Sequence, residues 1–165
     1  VPDQSLVAAV AVDVMVDYRS FDSIASASIT GPWSFSFDLA IGDKAFQVNR
    51  VFSAANTVGP GSAVIYQFRD GSLKNRFGES LVFANLKVLW FVNLTNNITL
   101  NLAGDFIPNV IGGTFVIIKV PPGGHLLCSS PIEGYAMDST HKEIIVSHDD
   151  PLLTASYKIM AMGHG

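Results

Sequence analysis

The sequence predicts an all-β fold, a two-sheet antiparallel β-sandwich of jelly-roll-like type, and three observations lead there. Apolar and polar residues alternate with a period of two over many short stretches, the pattern of a strand with one buried and one wet face. Glycine and proline clusters separate these stretches at short intervals, each supplying the positive φ or fixed φ that a chain reversal needs. Helical recurrence at three and four residues is scarce, and no alternation of strands with helices points to a parallel sheet.

Along the chain, Val10, Val12, Val14, Val16 and Tyr18 alternate with Ala11, Asp13, Met15 and Asp17, which predicts a first long strand. Gly31-Pro32 opens the next, where Trp33, Phe35, Phe37, Leu39 and Ile41 oppose Ser34, Ser36, Asp38 and Ala40. Trp33, Phe35 and Phe37 are therefore expected in the core rather than on an exposed sugar-stacking platform. Further strands are expected at Lys44–Phe52, Ala63–Arg69, Leu86–Leu94, Ile98–Leu102, Thr114–Val120, His125–Cys128, Glu143–Ser147 and Ser156–Met162. Turn chemistry lies between them at Gly42-Asp43, Gly59-Pro60-Gly61, Asp70-Gly71, Asn96-Asn97, Gly112-Gly113 and Pro121-Pro122-Gly123-Gly124. Asn75–Ala84 is allowed a single helical turn at most. No internal repeat or linker interrupts the pattern, so one domain is assigned to residues 1–165.

At 165 residues the chain is long enough for a sizeable core without staples. Its charged fraction of 15% lies below the roughly 25% of soluble domains. That fits a large core or a protomer that hides surface against neighbours. A net charge of −4 and the absence of any basic run argue against nucleic acid as a partner. Cys128 alone excludes an internal disulfide. There is no apolar stretch of membrane-spanning length, and export by a cleaved signal is not expected unless a leader has been removed.

The candidate chemistry is thin. His125, Cys128, His141 and His148 contain metal-ligating types, but a structural zinc site wants four ligands in tight pairs, so Cys128 is read as a small buried hydrophobe and the histidines as turn residues. Asp149-Asp150 and the strand neighbours Asp13 and Asp17 lack the carboxylate-rich loop that calcium requires and are read as solvated positions. No Gly-x-Ser-x-Gly elbow exposes a nucleophile, and Glu79, Glu133 and Glu143 mark out no carboxylate pair. The sequons Asn93-Leu94-Thr95 and Asn97-Ile98-Thr99 are read as turn sequences. No catalytic residue, cofactor or metal is assigned, and the protein is expected not to be an enzyme.

Leu86–Leu94 is apolar on both faces. Leu86, Val88, Trp90, Val92 and Leu94 make a complete core face, while the opposite face carries Lys87, Leu89, Phe91 and Asn93. A strand of this kind needs cover on both sides. Leu89 and Phe91 are accordingly the candidate subunit contact, with a neighbouring copy preferred over a loop as their cover.

Several segments between Arg76 and Gly163 carry a family resemblance. These are Arg76-Phe77-Gly78, the run Leu86-Lys87-Val88-Leu89-Trp90-Phe91-Val92-Asn93, Pro122-Gly123-Gly124-His125-Leu126-Leu127, Gly134-Tyr135, and Tyr157-Lys158-Ile159 leading to Gly163. In them the chain resembles small β-sandwich virion structural proteins of tailed bacteriophages. The resemblance implies a capsid decoration, cement or minor structural protomer located in the virion and assembled in the host cytoplasm. Its partners would be copies of itself, a trimer above other stoichiometries, and a major capsid or other virion protein. The alternative is a receptor- or carbohydrate-binding module with a glycan as its ligand.

Overall fold

The computed structural model describes the backbone of residues 8–21, 26–41, 44–45, 47–75 and 77–165, with side chains from residue 44 onward within those ranges. The chain divides into two compact units, Val1–Ile41 and Gly42–Gly165.

The first unit is a long antiparallel hairpin of β1 (Ala8–Phe21) and β2 (Ser26–Ile41). Its register sets Val10 opposite Phe37, Val12 opposite Phe35 and Val14 opposite Trp33. Directly opposed residues of an antiparallel pair share a face, so the two sequence alternations run in phase. Both expected strands lie inside β1 and β2. The turn expected at Gly31-Pro32 does not form there, because β2 runs through it; a strand accommodates proline at a position that donates no ladder hydrogen bond. The expected core placement of Trp33, Phe35 and Phe37 and the solvent face of Asp13 and Asp17 concern side chains outside the described residues.

The second unit contains β3 (Gln47–Val48), β4 (Arg50–Val58), β5 (Ala63–Gln67), β6 (Asn85–Asn93), β7 (Leu100–Ala103), α1 (Phe106–Ile111), β8 (Ile118–Val120), β9 (His125–Ser129), β10 (Tyr135–Ala136), β11 (Glu143–Ser147) and β12 (Ala155–His164). One antiparallel sheet has the order β10-β6-β12-β4, with β9 also on the β6 edge, and the other has the order β5-β11-β7-β8. The two pack face to face as a β-sandwich. Phe52, Phe91, Tyr157 and Ile159 from the first meet Tyr66, Leu102 and Val146 from the second in one buried cluster. Phe91 stacks on Tyr157 with ring centroids 5.2 Å apart, Tyr157 meets Tyr66 edge-on, and their hydroxyls share a 2.9 Å hydrogen bond. Burial, together with that bond, pushes the Tyr157 phenol above the ordinary tyrosine range.

Three local expectations need correction. The strand expected at Lys44–Phe52 begins at Gln47, breaks at Asn49 and continues to Val58, because β12 supplies partners for Ser53, Ala54, Ala55, Asn56 and Thr57 that do not alternate in hydropathy. Thr114–Val120 is strand only over Ile118–Val120. The helical turn allowed within Asn75–Ala84 is instead a loop closed by the Lys74–Ser80 bridge, in which Asn75 Oδ1 accepts the Phe77 and Glu79 N–H groups.

The one helix among the described residues, α1, is six residues long, too short for a helical period to show in the sequence. Pro108 fits its first turn, where no donor is required. Gly104, at φ 106°, brings the chain into it so close to β11 that a Cβ would lie 2.5 Å from the Glu143 carbonyl oxygen.

Candidate functional site

The faces of β6 decide which side chains are available for contact. Pairing with β12 runs in step from Tyr157↔Asn93 to Met162↔Val88 and then shifts, so that Gly163 meets Leu86 and Lys87 is the extra residue. This β-bulge resets the alternation. Leu86 thereby joins Leu89 and Phe91 in the core cluster, while Val88, Trp90 and Val92 lie on the other face. The bulge depends on glycine, since a Cβ at Gly163 would fall 1.9 Å from the Asn85 carbonyl oxygen.

The expected subunit contact is therefore corrected. Leu89 is 1% exposed and Phe91 0%, and both are covered by the second sheet of their own chain. On the face read as core, Val88 and Val92 are buried but stand outside the core cluster. Trp90 is 39% exposed and Leu94 45%. Across the outer face Trp90 lies directly between Met160 on β12 and Leu127 on β9. His125 stacks parallel to the indole, with ring centroids 6.2 Å apart and planes within 9°. Val92 lies between Lys158 and His125 in the adjacent row. The result is an apolar row, Met160–Trp90–Leu127, flanked by an imidazole and an exposed ammonium. The two-faced apolar pattern of β6 signalled a strand that needs cover on both sides, but nothing within the strand marked the bulge that shifts its register.

The polar candidates are dispersed. His125 is exposed on the outer face, Cys128 points into the core, and His141 lies in an exposed loop. His148 is buried, with Nε2 3.1 Å from the Val58 carbonyl and Nδ1 accepting the Asp150 N–H. Burial pushes the Cys128 thiol up, as it does the nearby Tyr135 phenol. Among the described residues no three His, Cys, Asp or Glu side chains converge as a metal site.

Several carboxylates are held by structural hydrogen bonds. Asp105 accepts the Lys142 and Glu143 N–H groups, each at 2.7 Å. Asp138 accepts the Thr140 hydroxyl and the Thr140 and His141 N–H groups, and the Thr140 bonds above all hold its carboxyl well below the usual range. Asp150 is lowered chiefly by the Leu152 and Leu153 N–H groups. Asp149 accepts from Asn101, Glu79 from Asn75, and Glu143 from Gln67.

The two sequons differ. Asn93 is fully buried, with its amide donating to the Ile98, Val120 and Pro121 carbonyls and accepting the Thr95 N–H and hydroxyl. Asn97 lies exposed in a bend. Asn93 thus acts as a clip joining the ends of β6, β7 and β8.

Comparison with protein-family models, with curated proteins and with solved structures gave no match.

Proposed function

We propose that this chain is a non-enzymatic structural protein of a tailed-phage particle, a capsid decoration, cement or minor structural protomer that stabilises the assembly through subunit contacts. The observation that carries this reading is the row Met160–Trp90–Leu127, partly exposed and led by Trp90, beside exposed Leu94, in a chain in which only 15% of residues are charged. Charge-poor surfaces bearing aromatic and methionine side chains are the composition of protein contacts. The engagement of Asp105, Asp138 and Asp150 in backbone hydrogen bonds also fits a scaffold better than an acid–base site.

The virion assignment rests on the sequence resemblance. Two of its segments fall within the sandwich framework: Pro122-Gly123-Gly124 lies in the turn from β8 to β9, and Tyr157-Lys158-Ile159 lies in the first half of β12. Its Arg76 lies outside the described residues.

A second reading, a carbohydrate-binding module, is favoured by the parallel Trp90 and His125 rings, since sugars stack on exposed aromatic faces. Native mass spectrometry and particle imaging of the purified chain, run beside a glycan array, separate the two. A homo-oligomer that joins particles is expected. A persistent monomer retained by glycans, with retention lost in Trp90→Ala, would overturn the structural reading in favour of the second.

A further inference from the structure

The connection from α1 to β8 carries the most exposed large apolar side chain among the described residues. Phe115 is 97% exposed, and Ile111 and Ile117 near it are 52% and 56% exposed. No charged residue occurs from Phe106 to Ile118, and Thr114 has the one polar side chain between Gly113 and Lys119. The connection leads into β8, the last strand of its sheet. β4, into which the chain runs from β3, lies at the other lateral side of the sandwich, where Phe52 meets Tyr66 of β5.

Local structure aims these groups outward. Val116 and Ile118 pack against the core, and alternate residues of an extended segment face opposite ways. Phe115, Ile117 and Lys119 therefore share the outward side, and all three are exposed.

The backbone at the tip is strained. Gly112 and Gly113 have positive φ, and so does Phe115, at 56°, alone among the described residues other than glycine. A bulky side chain is disfavoured in that region by its own Cβ. With its ring in solvent, Phe115 contributes no packing to the fold that would offset this. No backbone hydrogen bond joins residues 113–117 to other described residues. Strain held at an exposed aromatic points to a role outside the chain.

We propose that residues 111–119 form a wedge for a lipid bilayer surface. Phe115, Ile111 and Ile117 enter the boundary between headgroups and acyl chains, and the Lys119 ammonium stays among the headgroup phosphates. The inference goes beyond the structural role and does not depend on it.

Area, charge and reach favour lipid over a protein partner. A nearly bare phenylalanine with two half-exposed isoleucines offers roughly 300–400 Å², well short of the ~800 Å² per partner of a standard protein interface. Insertion in a bilayer has no such threshold, because it scales with the apolar area immersed and needs no matching shape. A lone lysine beside an uncharged apolar tip is the arrangement in which a stem lies along the acyl boundary while its ammonium reaches phosphate. Six residues, three out and three back, reach at most about 10 Å. Interfacial segments sit about 5–10 Å deep, within the near leaflet.

The test mixes the full chain with phosphatidylcholine vesicles, which carry no net charge, and measures bound protein by flotation. A single short apolar anchor binds reversibly at about 10⁴ M⁻¹, so half of the protein is expected to float at roughly 0.1–1 mM accessible lipid. Phe115→Asn with Ile117→Ser should lower the partition coefficient at least about tenfold. Asparagine tolerates positive φ, so Phe115→Asn alone should melt no lower than the parent. Leu152→Ser, at a position 83% exposed between β11 and β12, should float as the parent does. In Phe115→Trp, lipid brominated on its acyl chains should quench fluorescence beyond the quenching of the parent's own tryptophans.

A parent that does not bind these vesicles would overturn the wedge. So would flotation that the double variant leaves unchanged, or that appears only with anionic lipid. Loss of an oligomer in native mass spectrometry of the double variant, with no flotation of the parent, would replace lipid by a protein contact. If the double variant does not fold, the absence of added quenching in Phe115→Trp decides against the inference.

Discussion

Phe91→Ala and Trp90→Ala, one residue apart on β6, distinguish the two faces of that strand. Phe91 is fully buried, stacked on Tyr157 and flanked by Ile159 on β12 and Leu126 on β9. Its truncation removes the transfer energy of the ring and leaves a cavity between sheets that cannot close, a cost of about 3–5 kcal/mol. That sum includes about 0.5–1.5 kcal/mol for the lost stack. Against a total of about 5–15 kcal/mol for a domain, this is a large share, and it should lower the melting temperature by roughly 6–20 °C. Trp90, more than a third exposed, should cost less than half as much. Urea unfolding followed by circular dichroism measures both. The stronger form is Leu89→Asp with Phe91→Asp, which should give an unfolded aggregate in size-exclusion chromatography, because two carboxylates cannot be buried unpaired in the core. A folded, dissociated protomer from that double variant, or a Trp90→Ala cost exceeding that of Phe91→Ala, would refute the assignment of faces.

Asn93→Ala should destabilise by about 2–4 kcal/mol in chemical denaturation, because three carbonyls and the Thr95 donors lose a buried partner at once. Gly104→Ala should cost at least about 2 kcal/mol in the same assay, since it combines a positive φ with a clash against the Glu143 carbonyl. Asp138 is depressed in the folded state relative to an unfolded aspartate near about 3.9, so its contribution is present above about pH 4 and is lost as pH falls through the folded value. Asp138→Asn should accordingly flatten the fall in urea midpoint between about pH 5 and pH 2, and an unchanged slope would show that the turn does not couple to stability. Tyr157→Phe should cost about 1 kcal/mol, leaving Tyr66 with only its long contact to Asn56.

The all-β class was legible because it depends on local repetition. Alternation in Val10–Tyr18, Leu86–Leu94 and Glu143–Ser147 and the turn chemistry of Gly59-Pro60-Gly61 and Pro122-Gly123-Gly124 are properties of neighbouring residues, and a pleated strand converts a period of two directly into two faces. The anomaly of β6 was legible too, as a strand apolar on both sides. What no local pattern carried was which face of β6 looks inward, because that is set by a bulge opposite Gly163, nearly eighty residues away in sequence. The tertiary structure alone also put Asn93 between three carbonyls distant from its own strand, and drew Ser53–Thr57 into β4 by pairing with β12. The physical reason is the same in each case: composition and period determine that a residue needs a partner, whereas register and sheet order, which depend on contacts distant in sequence, determine which partner it meets and which surface is left to face the outside.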